Sequence, residues 1–515
     1  MADNIDKALD LGGKPELEVL KKETEVVVDG QRVPAPEGLE IEMDEEGGAT
    51  LDFDPREALP EIEFYSNLAE VIDERDLAEL ADELMADFES DKSSRKEWED
   101  AYIKGLGLLG IKYEERTNPF RGASSATHPL LAESATQFQA TAFKELLPAG
   151  GPVRTVIMGD ETPEKYARAG RVQEFMNFQI MNKMEDYTPE YDQMLFYLPL
   201  AGSTFKKVYY DELMERPVSK FIPAEDLVVN YLSTDLDNCE RICHVINMSY
   251  NDFRKKQVSG FYKDIDILPQ EAEENEVQKR YNELQGTKPG YADKIVKLYE
   301  FHTSIDLKDF EDKDESGEMT GIKIPYIVTI EEGSSQVVGI RRNYEKDDPK
   351  KMKKQYFVQY KFLPGLGFYG FGLIHLIGGL SRTATDILRQ LLDAGTLSNL
   401  PAGFKSRGIR MRDDADPLQP GEFRDIDAPN GDLRNSFMPL PYKEPSQTLY
   451  SLLGFVVQAG QRFASIADMQ VGDANQQAPV GTTIALLERG SRIMSAIHKR
   501  CYYSQKKEFK LLYRV

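Results

Sequence analysis

The most constraining feature of the chain is the order of the elements that follow residue 372. A long helix is predicted over 373–399, because apolar residues recur there at alternating steps of four and three and form one continuous seam. The residues of this seam are Leu373, Ile377, Leu380, Ala384, Ile387, Leu391 and Ala394. The same spacing predicts a second helix over 446–467, with Ser446 as its cap. At 1.5 Å per residue the first helix is roughly 37 Å long.

A charged insert separates these two helices, and a polar loop separates the second from a third. The insert, residues 400–445, holds short alternating segments and the tight-turn pair Asn430 and Gly431, which predict a small β module. The loop, residues 468–482, is small and polar and contains no aromatic residue. The third helix is predicted over 483–515, and since no glycine or proline ends it, we expect the natural chain to continue.

The part of the chain before residue 373 is predicted to be an α+β body, with helices first and strands after them. Amphipathic or buried helices are predicted for 68–87, 93–109, 127–147 and 162–183. Ser94 is a candidate cap for the second of these, because Glu97 follows three residues later. Pro163 suits the first position of the fourth, where its missing N–H costs nothing.

Short strands rich in β-branched and aromatic residues are predicted for the rest of this body. They cover 205–210, 219–222, 227–231, 242–248, 295–303, 322–330, 336–343 and 356–362. Charged turns separate the last four, which are therefore expected to form one antiparallel set. A polar, Glu-rich helix or insertion is predicted within 268–288.

The negative charge of the chain is concentrated in its N-terminal region. The whole chain has a formal charge of −25, of which residues 1–60 carry −11 and residues 61–100 another −11. Only −3 remains for the other residues, and the last stretch, 471–515, carries +5. Residues 1–63 are acidic and turn-rich and are expected to form a flexible arm. A nearly neutral body cannot grip DNA tightly, but it suits a passage through which DNA slides.

Several protein classes are disfavoured. The three cysteines are too few and odd in number for a disulfide framework, and they fit a reducing cytoplasm. The N-terminus lacks the basic and apolar segments of a secretory signal. The uncharged stretch 362–381 has the length of a membrane span, but Pro364 and six glycines interrupt it. We therefore expect no membrane partner.

A glycine motif suggests nucleotide binding, but a structural interpretation fits it better. Gly365, Gly367 and Gly370 have the spacing of a dinucleotide-binding loop. The second strand and the acidic residue that would hold a ribose do not follow, because the next acidic residue, Asp386, lies inside the long helix. The favoured interpretation is a hinge where a strand turns into a helix.

A second motif resembles half of a metal site. Cys239, Cys243 and His244 lack the second ligand pair that a structural zinc ion needs, so buried thiols are favoured. Elsewhere the sequence contains no recognisable catalytic motif. We therefore expect a protein that is not an enzyme and that uses no metal or cofactor.

Four segments resemble the portal (head-to-tail connector) proteins of tailed bacteriophages, most closely those of short-tailed phages. They are YGFGLIHLIGGLSRTATDILRQLLDAG (369–395), PLQPGEFRDI (417–426), APVGTTIALLERGSR (478–492) and FIPAEDLVVN (221–230). The resemblance extends over residues 64–515. It rests on the order and spacing of elements, because portals share architecture more than signature residues.

The resemblance implies the portal fold, with an α/β wing, a two-helix stem, a small β-rich clip and a long C-terminal wing helix. Residues 64–372 would begin the wing, and 373–399 with 446–467 would form the stem. Residues 400–445 would be the clip, and 468–482 the tunnel loop. The helix over 483–515 would belong to the wing and lead to a crown or barrel beyond it.

The resemblance also implies what such a protein does. It would be one subunit of a ring of twelve copies at one capsid vertex, the conduit for genome packaging and ejection. Its partners would be double-stranded DNA in the tunnel, the terminase large subunit, the head–tail adaptor, and the major capsid and scaffolding proteins. It would assemble in the host cytoplasm and be located in the virion, at the phage neck.

Three sets of site residues follow from this resemblance. The residues that face DNA would be Gly472, Asp473, Asn475, Gln476 and Gln477. The residues of the clip that dock partners would be Arg407, Arg410, Arg412, Asp413, Asp414 and Asp416. The stem-packing residues, which would pack on a neighbouring subunit, would be Ile377, Leu380, Ala384, Ile387 and Leu391.

Two alternatives stay open. The first is another structural protein of the virion, such as a scaffold or capsid component, which electron microscopy would distinguish from a closed ring with a central hole. The second, less favoured, is a nucleotide-binding enzyme that uses the glycine triplet. A Gly367→Val substitution in a nucleotide-binding assay would test it.

Overall fold

The structure is a computed structural model that describes the side chains of residues 63–112, 115–120, 122–268, 274–288, 294–313, 318–399, 442–462 and 496–515. Elsewhere it describes only the backbone of the short strands named below and of helix residues 463 and 480–495. The chain divides into two compact units. One comprises residues 1–66 and 306–323, and the other comprises residues 67–305 and 324–515.

The smaller unit contains two antiparallel strand pairs. They are β1 (Glu25–Val28) with β2 (Gln31–Pro34), and β3 (Ile41–Met43) with β4 (Ala49–Leu51). In its second segment, Lys313 and Met319 form an isolated antiparallel bridge. The acidic composition of residues 1–63 predicted a flexible arm and did not predict these strands.

The larger unit contains ten α-helices among the described residues. They are α1 (Glu74–Ser94), α2 (Lys96–Leu106), α3 (Leu130–Leu146), α4 (Pro163–Phe178), α5 (Tyr187–Ala201), α6 (Tyr250–Val258), α7 (Glu276–Gln285), α8 (Leu373–Asn399), α9 (Gln447–Phe463) and α10 (Val480–Arg514). No helix among the described residues is both long enough and apolar enough to cross a bilayer.

The strands of the larger unit form two antiparallel sheets and a β insert. They are β5 (Ser203–Asp211), β6 (Arg216–Ile222), β7 (Leu227–Val229), β8 (Ile242–Ser249), β9 (Gln270–Glu271), β10 (Lys294–Ile305), β11 (Ile324–Glu331), β12 (Val337–Arg342), β13 (Phe357–Lys361), β14 (Gly403–Lys405), β15 (Arg410–Met411), β16 (Ile426–Asp427) and β17 (Phe437–Pro439). Sheet A has the order β13-β5-β6. Sheet B has the order β12-β11-β10-β8-β7, with β9 paired to β10.

The two sheets and two helices form four successive layers. On β5, Lys206 contacts Glu508 of α10, whereas the next residue, Lys207, contacts Glu300 of β10. On β10, Phe301 follows Glu300 and packs against α1. Because successive side chains on a strand point to opposite faces, the layers follow the order α10, sheet A, sheet B and α1.

The main hydrophobic core lies between the helices and sheet A. Phe138 of α3, Tyr191 and Leu195 of α5, and Phe205 of β5 are completely buried in it. Burial of large apolar side chains is the main driving force of folding, so this core fixes α3 and α5 against the sheet. It also includes Ile377, near the start of α8, and therefore anchors the long C-terminal helices.

Local sequence explains some helix boundaries, and the structure corrects one. Thr162 caps α4, since its side chain accepts a hydrogen bond from the Lys165 N–H, and Pro163 occupies the first position as predicted. Ser94 was predicted to cap the second helix, which is wrong. It is the last residue of α1, and its hydroxyl donates to the Asp91 carbonyl at 2.6 Å.

The α+β class predicted from the sequence is confirmed, but one strand belongs to a different sheet. The strand predicted over 356–362 was grouped with the three that precede it. Instead, β13 pairs with β5 in sheet A, from Phe357 opposite Lys207 to Lys361 opposite Ser203. The predicted pattern identified the strand correctly, but its partner lies far away in sequence.

The C-terminal helices agree with the predicted order and differ at their ends. Helix α8 covers the predicted range 373–399. Helix α9 ends at Phe463, and residues 464–467 of the predicted second helix lie outside the described residues. Helix α10 begins at Val480, whereas the sequence placed its start at Thr483.

Candidate functional site: the helical hairpin and its anchors

Helices α8 and α9 form an antiparallel hairpin that meets the body at one end and the β insert at the other. Near the insert, a Cβ built on Gly395 would lie 3.8 Å from the Pro445 ring, just before α9. Near the body, a Cβ on Gly460 of α9 would lie only 2.4 Å from the side chain of Leu130 in α3. Between the two helices, the β15–β16 pair is nested in sequence within the β14–β17 pair.

The seam between the two helices is apolar. Ala384 and Ile387 of α8 are buried against Val456 of α9. The half-buried residues that surround this contact are Leu380, Leu391, Leu449, Leu453 and Val457. Ile377 is buried in the main core. All five predicted stem-packing residues therefore lie against parts of the same chain.

A second face of α8 is attached to the body by hydrogen bonds. Thr385, Arg389 and Asp393 are spaced four residues apart and share this face. The Thr385 hydroxyl accepts from the His128 N–H at 3.1 Å, and the Asp393 carboxylate accepts from the Ser124 N–H at 2.6 Å. Arg389 donates to the backbone carbonyl of residue 126 at 2.8 Å. These polar contacts fix the direction in which α8 leaves the body.

This attachment is only partly visible in the sequence. The three residues repeat at helical spacing beside the apolar seam, which marks a second face of α8. However, their partners are backbone groups of the segment 124–128, and a sequence pattern does not reveal which backbone lies opposite a helix.

The outer face of α9 exposes large apolar side chains. Tyr450 is 64% exposed and Phe455 is 69% exposed, and Leu452 lies between them in sequence. On α8 the exposed side chains Arg382 and Asp386 are polar and lie 4.0 Å apart, and Leu392 is 44% exposed. Aromatic side chains exposed to water do not stabilise an isolated hairpin, so this face of α9 is a candidate contact surface.

Close backbone packing explains two of the three glycines of the motif, Gly365 and Gly370. A Cβ on Gly365 would lie 2.0 Å from the Tyr369 carbonyl oxygen and one on Gly370 would lie 2.5 Å from the Gly202 carbonyl oxygen, whereas a Cβ on Gly367 would meet nothing within 4 Å. Just after the motif, a Cβ on Gly372 would lie 2.3 Å from the Leu200 carbonyl oxygen. Sheet A, which contains the preceding strand, is antiparallel. A dinucleotide-binding glycine loop instead requires a parallel βαβ unit. The motif lies at the junction between β13 and α8, where the sequence predicted a hinge.

A buried ion pair joins α10 to sheet A. The Glu508 carboxylate accepts from the Ser219 hydroxyl at 2.6 Å and from the Tyr360 hydroxyl. Lys206 lies 3.4 Å from Glu508, and its ammonium lies 3.9 Å from the centre of the Tyr187 ring. Burial lowers the pKa of Lys206, and the Glu508 charge partly opposes this shift. Because both charged groups are fully buried, they fix the position of α10 on the sheet.

A second buried charge cluster joins the two sheets. Lys207 of sheet A donates to both carboxylate oxygens of Glu300 in sheet B, and the His302 ring lies 2.6 Å from the same carboxylate. Burial alone would raise the pKa of Glu300, but the Lys207 charge and the hydrogen bond with His302 hold it well below its usual range. Burial lowers the pKa of His244, on the adjacent strand, well below its usual value.

Arg95, between α1 and α2, connects these helices to the segment before β7. Its guanidinium donates to the Ala224 and Leu227 carbonyls at 2.9 and 2.7 Å and to the Tyr369 hydroxyl at 2.8 Å. The neighbouring Glu225 is buried, and one of its carboxylate oxygens has no hydrogen-bond partner among the described residues. Burial raises the pKa of Glu225 to about 8.

Most of the remaining predicted site residues fall outside the described part of the chain. This is true of all five predicted DNA-facing residues, Gly472, Asp473, Asn475, Gln476 and Gln477. It is also true of five predicted clip residues, Arg407, Arg412, Asp413, Asp414 and Asp416. Arg410 lies in β15, with Asp427 as its register partner in β16.

The two cysteines of the half metal motif, Cys239 and Cys243, are both free and buried. Cys243 lies in β8, and the Cys239 thiol donates to the Arg241 carbonyl at 2.9 Å. The cysteines thus do not form the candidate site.

The candidate site of this protein is the helical hairpin with its β insert, held by polar and charged anchors. No protein-family model matches the chain, and no curated protein matches it significantly.

Proposed function

We propose that the protein is the portal subunit of a tailed bacteriophage, which assembles into a ring around the path of the viral DNA. One observation carries the proposal: a two-helix hairpin ends in a small β insert at one end and joins an α+β body at the other. In this interpretation the hairpin is the stem, the insert is the clip and the body is the wing. The fold alone does not imply this function, so the proposal depends on the order of these parts.

The anchoring of the hairpin supports a mechanical role. The start of α8 is buried in the main core, and its Asp393 side chain is hydrogen-bonded to the segment 124–128. Such attachments keep a long helix in a fixed direction relative to the body. A ring that carries load during DNA packaging requires this rigidity in every subunit.

The exposed face of α9 supports oligomerisation. Tyr450 and Phe455 project from a helix whose opposite side is already packed on α8. In a ring, this face would lie against the stem of the neighbouring copy and be removed from water. Aromatic side chains of this size contribute strongly to protein interfaces.

The oligomeric state is the first test. The purified chain is expected to form closed rings with a central hole, visible by electron microscopy, with a native mass of about twelve copies. A Tyr450→Ser/Phe455→Ser variant should shift the mass to smaller species, whereas Arg382→Gln on the polar face of α8 should not. A wild-type chain that stays monomeric would contradict the proposal.

Partner docking is the second test. Replacing residues 400–445 by a short linker should leave the ring intact but abolish binding of the terminase large subunit and of the head–tail adaptor. A charge-reversal pair, Arg410→Glu/Arg412→Glu, should weaken the same binding. The matched control is Lys346→Glu/Lys350→Glu on the wing. If the terminase large subunit still binds after the whole insert is replaced, the assignment of residues 400–445 as the clip would be refuted.

The conduit role requires a third test. Deleting residues 470–479, which precede α10, should leave ring assembly intact, while heads built on the variant fail to fill with DNA or to retain it. The measurement is the DNA content of those heads. Full heads at normal yield would show that this loop is a passive connector.

A further inference from the structure

The outer face of α10 carries a stripe of basic and aromatic side chains. The exposed residues of this stripe are Lys499, Tyr503, Lys506, Lys510, Tyr513 and Arg514. Their spacing of three, four and seven residues places them on one side of the helix. None of its four cations has an ion-pair partner among the described residues. The adjacent Lys507, by contrast, is paired with Asp237 at 3.2 Å.

The outer face of α1 carries the opposite charge. Its exposed carboxylates are Glu79, Asp82, Glu83 and Glu89. Glu79 contacts Arg75 at 3.4 Å, whereas the other three have no ion-pair partner among the described residues. Ala86 and Ser90 are exposed beside these carboxylates, and Arg75, which is paired with Glu79, is exposed on the same face. Four carboxylates against one guanidinium leave this face with a net negative charge.

The two charged faces lie on opposite sides of the larger unit. The layers follow the order α10, sheet A, sheet B and α1, with the Lys207–Glu300 ion pair between the sheets. One copy of the chain therefore cannot bring its own basic stripe against its own acidic face. Two copies arranged head to tail can do so, and repeating this contact produces a closed ring when the rotation allows it.

We propose that the basic–tyrosine stripe of α10 binds the acidic face of α1 on the next copy and thereby sets the head-to-tail order of subunits. This inference rests on the proposed function only in its expectation of a ring. The stripe from Lys499 to Arg514 is roughly 22 Å long, and the acidic face from Glu79 to Glu89 is roughly 15 Å long. The acidic face is shorter than the stripe, so opposing charges can meet over its whole length, and the two tyrosines add apolar contact area.

A second copy explains both faces, whereas DNA would explain only one. A duplex bound along α10 would neutralise the basic stripe, but it would leave the acidic face of α1 without a partner. Complementary charge also selects one orientation, because pairing α10 with α10 or α1 with α1 would place like charges together.

Charge exchange between the two faces tests the proposal. The first variant is Lys506→Glu/Lys510→Glu, and the second is Glu83→Lys/Glu89→Lys. The third combines all four substitutions and restores opposite charges across the contact. The matched control, Lys346→Glu/Lys350→Glu, makes the same change of charge at exposed residues that belong to neither face. Native mass and electron microscopy report the fraction of ring in each preparation.

The first two variants should lose most of the ring at a concentration where the wild type is fully assembled. The combined variant should recover it, and the control should leave it unchanged. Rings that persist in both single-face variants would overturn this inference without affecting the portal proposal. Failure of the combined variant to recover would also overturn it, as would loss of DNA binding without loss of the ring. A wild type without rings would instead refute the portal proposal itself.

Discussion

The ion pair between Lys206 and Glu508 provides the most direct test of how the C-terminal helix is held. Both side chains are 0% exposed, so a Glu508→Ala change leaves a buried ammonium without its counter-charge. Removing one partner of a buried pair typically costs about 3–5 kcal/mol. We adopt the lower end, about 3 kcal/mol, because the lysine can lose its proton instead of remaining charged.

Hydrogen–deuterium exchange at the amides of residues 496–514 is the appropriate assay, because it measures local opening of α10 in an assembled protein. A loss of about 3 kcal/mol corresponds to exchange that is roughly a hundredfold faster. Lys206→Met alone should have an effect of similar size. The double variant Lys206→Met/Glu508→Leu should be much less damaging than the sum of the two single variants, because it leaves no buried charge unpaired. Unchanged exchange in Glu508→Ala, or strictly additive effects, would refute this reasoning.

Three further predictions follow from other contacts. The folded pKa of Glu225, about 8, lies above its ordinary value of 4.5, so the folded chain keeps a proton that the unfolded chain has lost. Stability should therefore fall as pH rises between about 4.5 and 8, and Glu225→Gln should stabilise the folded chain above pH 8 but hardly below pH 5; a difference in melting temperature that stays constant across pH would contradict this. Gly372→Ala should lower the melting temperature strongly because its Cβ meets backbone at 2.3 Å, whereas Gly367→Ala, with nothing within 4 Å, should not; equal effects would contradict the packing interpretation. Asp393→Ala should cost about 1 kcal/mol by leaving the partly buried Ser124 N–H unpaired, and hydrogen exchange at residue 124 should rise, unlike in the exposed control Asp386→Ala.

Periodicity in the sequence predicted the helices of the C-terminal region because their apolar spacing is local and continuous. The seam residues of α8, such as Ala384 and Ile387, could be assigned to one face directly from the sequence. No element was predicted for α5 or α6. Helix α5 is apolar on several sides and contains Pro199, so it lacks the amphipathic pattern that marks a surface helix.

The packing partner of each element was revealed only by the tertiary structure. The spacing of α8 was compatible with packing on a neighbouring subunit, yet α9 of the same chain covers it. The sheet to which β13 belongs could also be assigned only from the fold. Its partner, β5, is far away in sequence, because all the strands of sheet B lie between β5 and β13 along the chain. A strand pattern specifies which residues alternate, but it carries no information about which distant strand supplies the hydrogen bonds.

The buried ion pair between Lys206 and Glu508 shows most clearly what the sequence determines and what only the fold determines. The sequence by itself determined that α10 is a helix with basic residues on its outer side and that α1 is acidic. Glu508 was indistinguishable in the sequence from a solvated helix residue, and Lys206 from an exposed strand lysine. Only the packing of α10 on sheet A places them together with no exposed surface. Burial and pairing are properties of side chains distant in sequence, whereas periodicity and charge pattern are properties of neighbours, so the sequence determined the elements and the tertiary structure determined their contacts.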